Sequence, residues 1–310
     1  MPTLLFKSDV DSADAWRTGL QTLMPDLEVR VWPELGKPTD IEYALVWKPL
    51  GEALRGLPNL RAIFSLGAGV DHLLGDPGLP PGVPIVRMID PALTEGMCEY
   101  VLLHVLRYHR KMPEYEVLQH QRRWHPLRQI RPSERQLGVM GLGVLGSEVA
   151  RRLASLDFAV AGWARSPKQI EEIETFHGLE QLKAFLARTQ ILICVLALTP
   201  MTEGILNKDA FAALPRGAYL INVARGAHLV EQDLLAALDD GSMAGATLDV
   251  FQTEPLSKRH PFWGHPHVTV TPHIASLTNP YTAAAHVIDN IQCLEHGEPL
   301  THVVDLEQGY

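Results

Sequence analysis

The sequence predicts an α/β protein of two domains, each organised around a parallel sheet, and three observations predict it. Short apolar runs alternate with helix-length amphipathic stretches along the chain, the pattern of repeated β-α-β units. The alternation comes as two series, the second restarting at Gln136. A glycine-rich turn stands between the first strand and first helix of that second series. With 310 residues, there is room for two cores of ordinary size.

In the first series the strand candidates are Leu4–Phe6, Val29–Trp32, Ala44–Trp47, Ala62–Leu66 and Ile85–Met88, separated by Pro and Gly clusters such as Gly75 to Pro84. A long helical pattern follows Pro91, where Met97, Tyr100, Val101, His104, Val105 and Tyr108 recur at three- and four-residue steps. Pro113, near the end of that run, is expected to lead from one domain to the next. Gln119 to Arg135 is rich in Arg, His, Gln and Pro without a period, which predicts an exposed arm. The second series offers Leu137–Met140, Ala159–Trp163, Ile191–Leu196, Tyr219–Val223, Ala246–Val250 and Val268–Thr271 as strands, with helices such as Glu148–Ser155 and Glu231–Leu238 between them. A last helix places Ala284, Val287, Ile288, Ile291 and Leu294 on one face.

Composition removes several function classes. A formal net charge of −9 argues against nucleic-acid binding, which needs a basic face. The longest apolar run, Ile191 to Leu198, is too short to span a bilayer, so no membrane partner is expected. Lys7, Asp9, Asp11 and Asp14 interrupt any apolar run at the start, so no signal peptide is expected. Cys98, Cys194 and Cys293 are odd in number, widely spaced and set among apolar residues; they read as reduced core thiols of a cytoplasmic protein. His260, His265, His267 and His273 fall close together, but His265-Pro266-His267 lacks the helical spacing of common zinc motifs, and no metal is expected.

Gly141, Gly143 and Gly146 form a GxGxxG after an apolar strand and at the start of a helix with Val149, Leu153 and Leu156 inward. The first glycine permits the tight turn, the second lets a pyrophosphate approach the backbone, and the third lets helix and strand pack closely. The helix start then directs N–H groups and partial positive charge at phosphates. This context predicts dinucleotide binding. An NAD site usually carries an acid at the end of the second strand, about 20 residues on. Here the strand runs Gly162-Trp163-Ala164 into Arg165, Ser166, Pro167 and Lys168. An acid would repel a 2′-phosphate, whereas an arginine grips it with two donors. The expected cofactor is therefore NADPH/NADP+, with NADH as a weaker alternative.

Three later segments end in chemistry-bearing residues: Asn222-Val223-Ala224-Arg225-Gly226, Asp249-Val250-Phe251-Gln252-Thr253-Glu254-Pro255-Leu256 and Thr271-Pro272-His273-Ile274-Ala275-Ser276. Each follows a strand candidate, and ligands of doubly wound sheets bind beyond the carboxyl ends of strands. Singly, a strand-end Arg is usually solvated, a Glu before Pro belongs to a turn, and a His is structural; the shared location singles them out.

The glycine turn, N-x-A-R-G, D-V-F-x-x-E-P-L and T-P-H-I-A, in this order and over most of the chain, resemble the D-isomer-specific 2-hydroxyacid dehydrogenase family. Trp47-Lys48-Pro49, the loop Ser65-Leu66-Gly67-Ala68-Gly69-Val70-Asp71 and Arg165 are most like its glyoxylate/hydroxypyruvate reductase A branch. The resemblance implies two Rossmann-like domains, with the cofactor domain (101–283) inserted into a flavodoxin-like substrate domain (1–100 and 284–310), and a cleft closing over the ligands. It implies NADPH-dependent reduction of small 2-keto acids such as glyoxylate and hydroxypyruvate. Arg225 would hold the substrate carboxylate and polarise the keto oxygen, His273 would donate a proton to that oxygen, and Glu254 would bind the far nitrogen of His273. Trp47, Lys48, Leu66, Gly67, Ala68 and Gly69 would shape the substrate pocket. Gly141, Leu142, Gly143, Val144, Leu145, Gly146, Arg165, Ser166, Lys168, Leu196, Leu198, Val223, Ala224 and Asp249 would bind the cofactor. A homodimer built around the glycine-turn domain is also implied, with Arg122, Arg123 and Trp124 in an arm near the partner. Two other readings use the same residues. An NAD-dependent dehydrogenase acting on another D-2-hydroxy acid is opposed by the missing acid after Trp163. A dinucleotide-sensing binding protein is opposed by the acidic charge and the lack of low-complexity tails.

Overall fold

A computed structural model describes residues 1–49 and 51–310. In chain order the first stretch contains β1 (Thr3–Lys7), α1 (Ala13–Leu23), β2 (Glu28–Val31), β3 (Tyr43–Val46), β4 (Ala62–Ser65), α2 (Asp71–Leu74) and β5 (Ile85–Val86). There follow α3 (Pro91–His109), α4 (Met112–His120), β6 (Gln136–Met140), α5 (Val144–Ala154), β7 (Ala159–Ala164), β8 (Glu174–His177), α6 (Gly178–Ala187), β9 (Ile191–Cys194), α7 (Lys208–Ala213), β10 (Ala218–Asn222), α8 (Glu231–Asp239), β11 (Met243–Leu248), β12 (Val268–Val270) and α9 (Pro280–His296). The chain divides into two compact units, Met1–Leu93 with Leu277–Tyr310, and Thr94–Ser276.

The first unit holds a sheet of order β2-β1-β3-β4-β5, parallel throughout. This is the flavodoxin-like order. Strands β1, β3 and β4 are buried along their whole length, which is why they read as unbroken apolar runs and not as alternation. Helix α1 starts at Ser12, whose hydroxyl accepts from the Ala15 N–H, and buries Trp16, Gly19 and Leu20. Gly19 lets α9 come close: a Cβ there would lie 2.7 Å from the Pro280 carbonyl oxygen. Helix α9 begins on the Asn279 side chain and ends at Gly297, in the left-handed conformation (φ 72°). The chain's last helix thus closes the unit in which its first strand lies.

The second unit holds a sheet of order β12-β11-β10-β9-β6-β7-β8, again parallel. From β6 it is the 3-2-1-4-5-6 dinucleotide-binding order with one strand added beyond. Its two faces carry separate cores, one around Phe185, Phe211, Leu220, Leu234 and Phe262, the other around Val101, Val105, Val139, Val149 and Ile193.

Several local expectations need correction. Strands end earlier than the apolar runs at Trp47, Leu66 and Leu196, because β3, β4 and β9 stop at Val46, Ser65 and Cys194 and the next residues turn into loops. Strand β8 (ETFH) was not anticipated; it is an edge strand with no buried residue, so it lacks an apolar signature. Pro113 does not lead out of the helical run: it stands in the first turn of α4, where a missing N–H costs nothing. Residues 121–131 form no helix or strand and are largely exposed, as an arm would be. The expected breakpoints after 100 and 283 fall later than those after Leu93 and Ser276. Met97, Tyr100 and Val101 pack with Val139 and Leu142 of the second unit, while Ala283 and Ala284 are buried in the first. Cys98 and Cys194 are buried, and burial pushes their thiols up to about 11 and about 12; Cys293 is only half-buried.

The α3 face carries a buried polar group, His104, 5% exposed, whose Nδ1 lies 3.2 Å from Thr247 Oγ1. Burial first, and the Arg107 charge second, depress its ring from 6.5 to about 4. Between these two values the unfolded chain binds a proton that the folded chain refuses, so acidification from about pH 6.5 to about 4 draws stability away. Changing His104 to Gln is expected to shrink this loss by about 1–3 kcal/mol, read as a flatter pH dependence of thermal unfolding.

Candidate active site

The predicted residues of the second unit gather beyond the carboxyl edge of its sheet. Register pairs Asn222 of β10 with Leu248 of β11, and Leu248 with Val270 of β12. Arg225, Asp249 and His273 therefore leave three neighbouring strands at the same edge. Met140 of β6 pairs with Cys194 of β9 and Trp163 of β7, so Gly141, Leu196 and Arg165 leave at that edge too.

The structure brings His273 and Glu254 together. His273 Nδ1 and Glu254 Oε2 are 2.9 Å apart, with side chains 33% and 24% exposed. Glu254 is aimed by its other oxygen, which accepts the Phe251 N–H at 3.1 Å. This leaves Nε2 as the ring nitrogen free of the carboxylate. His273 itself lies in the left-handed region (φ 57°), uncommon for a residue with a Cβ. Its loop is held there by Asp249. The Asp249 carbonyl accepts the His273 N–H at 2.9 Å, and its carboxylate accepts from Thr271 Oγ1 at 2.6 Å, Ile274 N at 2.9 Å and Ala275 N at 2.8 Å. Burial raises the Asp249 carboxyl, and these donors oppose the shift. Sequence reading placed Asp249 among cofactor contacts; its carboxylate is occupied by the histidine loop. Thr271 Oγ1 in turn meets Tyr100 Oη at 2.5 Å.

The Arg225 turn is shaped by Asn222, fully buried, whose Nδ2 donates to the Arg225 carbonyl at 3.1 Å and whose Oδ1 accepts from Ala224 N at 3.2 Å. Arg225 Nη1 donates to the Ala224 carbonyl at 2.8 Å, fixing the guanidinium's root. Gly226 is obligatory, since a Cβ would lie 1.8 Å from the Phe251 carbonyl carbon. That contact brings N-x-A-R-G against D-V-F. Val223 and Ala224 are buried, and Leu196 and Leu198 half-buried.

At the glycine turn, Gly141 takes φ +102°, and its N–H donates to the Trp163 carbonyl at 2.8 Å. A Cβ on Gly146 would meet Gly141 O at 1.8 Å, whereas one on Gly143 would meet no protein atom within 4 Å. Gly143 is the N-cap of α5, whose first turn holds no acid. Open space, a bare helix start and absent carboxylates fit a pyrophosphate. Leu142 is buried beneath Gly162, so only its backbone can serve a ligand; Val144 is 44% exposed and Leu145 half-buried. Arg165, Ser166 and Lys168 are exposed beyond β7, on a loop secured by Thr175 Oγ1 to the Lys168 carbonyl at 2.7 Å. The second and third glycines make opposite predictions. Gly146→Ala is expected to cost about 1–3 kcal/mol of stability in thermal unfolding. Gly143→Ala is expected to fold normally but to lose dinucleotide affinity in a fluorescence titration.

In the first unit, Trp47 and Lys48 follow β3, and Leu66, Gly67, Ala68 and Gly69 follow β4. Trp47 lies tilted against His72 with ring centroids 4.2 Å apart, a partner the sequence did not reveal, and a Cβ on Gly67 would lie 2.8 Å from the indole. Lys48 is exposed and left-handed (φ 46°). Ser65 Oγ staples the glycine loop, accepting from Gly67 N and donating to the Gly69 carbonyl, both at 3.3 Å. Thr278 Oγ1 donates to the Leu66 carbonyl at 2.7 Å. Among the described residues, no group of three or more His, Cys, Asp or Glu side chains is arranged to hold a metal ion. No described helix is long and apolar enough to cross a membrane.

A doubly wound sheet with this glycine turn and an Arg, Glu and His beyond its strand ends defines a nicotinamide-dinucleotide oxidoreductase. Residues 102–275 match the model of the D-isomer specific 2-hydroxyacid dehydrogenase NAD binding domain, and the chain belongs to that family. It is 48% identical over 313 residues to a glyoxylate/hydroxypyruvate reductase A of Serratia proteamaculans (strain 568), covering 99% of each chain. A homologue of the same name from Yersinia enterocolitica is 46% identical over 312 residues, with 99% of each chain covered. Among solved structures, a D-isomer specific 2-hydroxyacid dehydrogenase from Xanthobacter autotrophicus Py2, in complex with NADPH and MES, superposes with a TM-score of 0.97 at 44% identity, covering 100% of this chain and 99% of that one. An NADPH-dependent glyoxylate/hydroxypyruvate reductase from Sinorhizobium meliloti, in complex with NADP and sulfate, gives 0.92 at 39% identity over 100% of both.

Proposed function

We propose that this chain reduces small 2-keto acids with NADPH, glyoxylate to glycolate and hydroxypyruvate to D-glycerate. The observation that carries the reading is the His273–Glu254 pair at 2.9 Å, one strand end from the Asn222–Arg225 turn. NADPH supplies the hydride when bound. Arg225 binds the substrate carboxylate and, with its remaining N–H groups, polarises the keto oxygen. His273 delivers a proton from Nε2 to that oxygen, and Glu254 holds Nδ1 so that the ring cannot turn away. Ala68 and Gly69 offer backbone N–H groups to the carboxylate from the loop that Ser65 holds at Gly67, Leu66 and Trp47 provide apolar wall, and Lys48 lends positive charge. Gly141–Gly146 cradle the pyrophosphate. Arg165, Ser166 and Lys168 take the 2′-phosphate, and Leu196, Leu198, Val223 and Ala224 flank the remaining part of the cofactor, while Asp249 holds the His273 loop. The test is loss of NADPH absorbance with a keto-acid panel, run in parallel with NADH; absence of turnover with every keto acid would refute the reading.

Arg165→Ala is expected to weaken NADPH by roughly 10–100-fold, the value of one or two charge-assisted hydrogen bonds, and NADH far less. Equal losses for the two cofactors would remove Arg165 from selectivity. A cytoplasmic homodimer completes the proposal. Leu103, Val117 and Trp124 are 61%, 55% and 101% exposed on α3, α4 and the arm, an apolar surface suited to a second copy, with Arg122 and Arg123 alongside. Sedimentation at micromolar concentration decides the stoichiometry.

A further inference from the structure

We propose that His228 is a positioning residue that ties the Arg225 turn to the loop after β9, so that the substrate anchor and the cofactor loop are set by one imidazole. The inference rests on the functional reading above for what the two ends bind. The ring is fully buried, three residues after Arg225. Its Nδ1 lies 3.2 Å from the Arg225 backbone N, and its Nε2 lies 3.3 Å from the Ala197 carbonyl oxygen.

These two neighbours permit one protonation pattern. A backbone N–H only donates, so Nδ1 must present its lone pair to Arg225. A carbonyl only accepts, so Nε2 must carry the proton toward Ala197. The opposite tautomer would set N–H against N–H at one end and lone pair against lone pair at the other. The Arg225 carbonyl, 3.1 Å from Nδ1, does not demand that alternative, because Asn222 Nδ2 already donates to it at 3.1 Å.

The far end of the link is also built. Ala197 O accepts a second hydrogen bond from Thr202 Oγ1 at 2.8 Å. Beyond it, Leu206 N donates to the His228 carbonyl and Gly204 N to the Ala227 carbonyl, both at 2.9 Å. Ala197 lies between Leu196 and Leu198, the residues assigned to the cofactor. An apolar side chain at 228 would fill the space but remove the acceptor that Nδ1 gives the Arg225 N–H.

Two isosteric replacements separate the ends. Asn places an oxygen near the Nδ1 position, and Gln places an N–H near the Nε2 position. His228→Asn is expected to keep the glyoxylate KM of the unaltered protein and to raise the NADPH Kd about fivefold, the value of one hydrogen bond. His228→Gln is expected to do the reverse, raising the glyoxylate KM about fivefold with NADPH affinity kept. Equal changes in both constants for the two variants would reduce His228 to core filling and overturn the proposal. Should the variants fail to fold, selective ¹⁵N-histidine labelling of the unaltered protein reads the tautomer directly. An Nε2–H ring at 228 supports the link, and an Nδ1–H ring overturns it. If the unaltered protein turns over no keto acid, the functional reading falls, while NADPH titration of the Asn and Gln variants still decides whether the imidazole holds the cofactor loop.

Discussion

His273→Gln is expected to lower kcat for glyoxylate by about 10²–10⁴-fold, the range for removing a positioned proton donor. NADPH should still bind, since the glycine turn and Arg165 follow β6 and β7, strands apart from this loop after β12. With Nδ1 held by Glu254 at 2.9 Å, the ring has one nitrogen left to present to a substrate oxygen. Glutamine can occupy the space and donate to the Glu254 carboxylate, but its amide cannot release a proton. Glu254→Gln should fall by less, because the imidazole is still present and the Gln carbonyl can still accept from Nδ1. Stopped-flow reduction with deuterated NADPH separates the two. If His273→Gln retained full single-turnover rate, the ring would be structural and the proton would have to come from elsewhere.

The left-handed backbone of His273 bears on the same prediction. A side chain held in this region costs on the order of 1 kcal/mol or more, and the surroundings must impose it. Here Asp249 imposes it, with one carbonyl and both carboxylate oxygens spent on residues 271–275. None of this was legible in the sequence, where Asp249 was expected to bind the cofactor and not to hold the His273 loop. The parallel sheets were legible because strands buried on both faces leave unbroken apolar runs, and β8 was not because an edge strand has no such need. The glycine turn was legible because its spacing reflects local backbone sterics: Gly146 sits against Gly141 O, five residues away. Gly226 has an equally strict reason, the approach of Phe251, but that contact spans distant segments and no local pattern announces it. His228 and His72 were missed for the same reason. Each is a lone histidine by sequence, and only folding supplies the partners that give it a role.

Arg225→Gln is expected to lower kcat/KM for glyoxylate by about 10²–10³-fold, with most of the loss shared between a higher KM and a lower kcat. The guanidinium has five donors in a rigid fork. One nitrogen, Nη1, is pinned to the Ala224 carbonyl at 2.8 Å, which sets the plane of the group before any substrate arrives. The remaining donors can then meet a carboxylate oxygen and the keto oxygen together, the second contact strengthening as charge builds there. Lysine keeps the charge but is a point donor on a flexible stem, and cannot hold Ala224 and grip two substrate oxygens in one plane. Arg225→Lys should therefore recover part of the KM and little of the kcat. Added guanidinium ion should partly restore Arg225→Ala, because the missing part is a planar cation of that shape. An Arg225→Gln protein with unchanged KM and kcat, or an Arg225→Lys protein equal to the unaltered one, would move the carboxylate anchor to another residue, with Lys48 the next cation to examine.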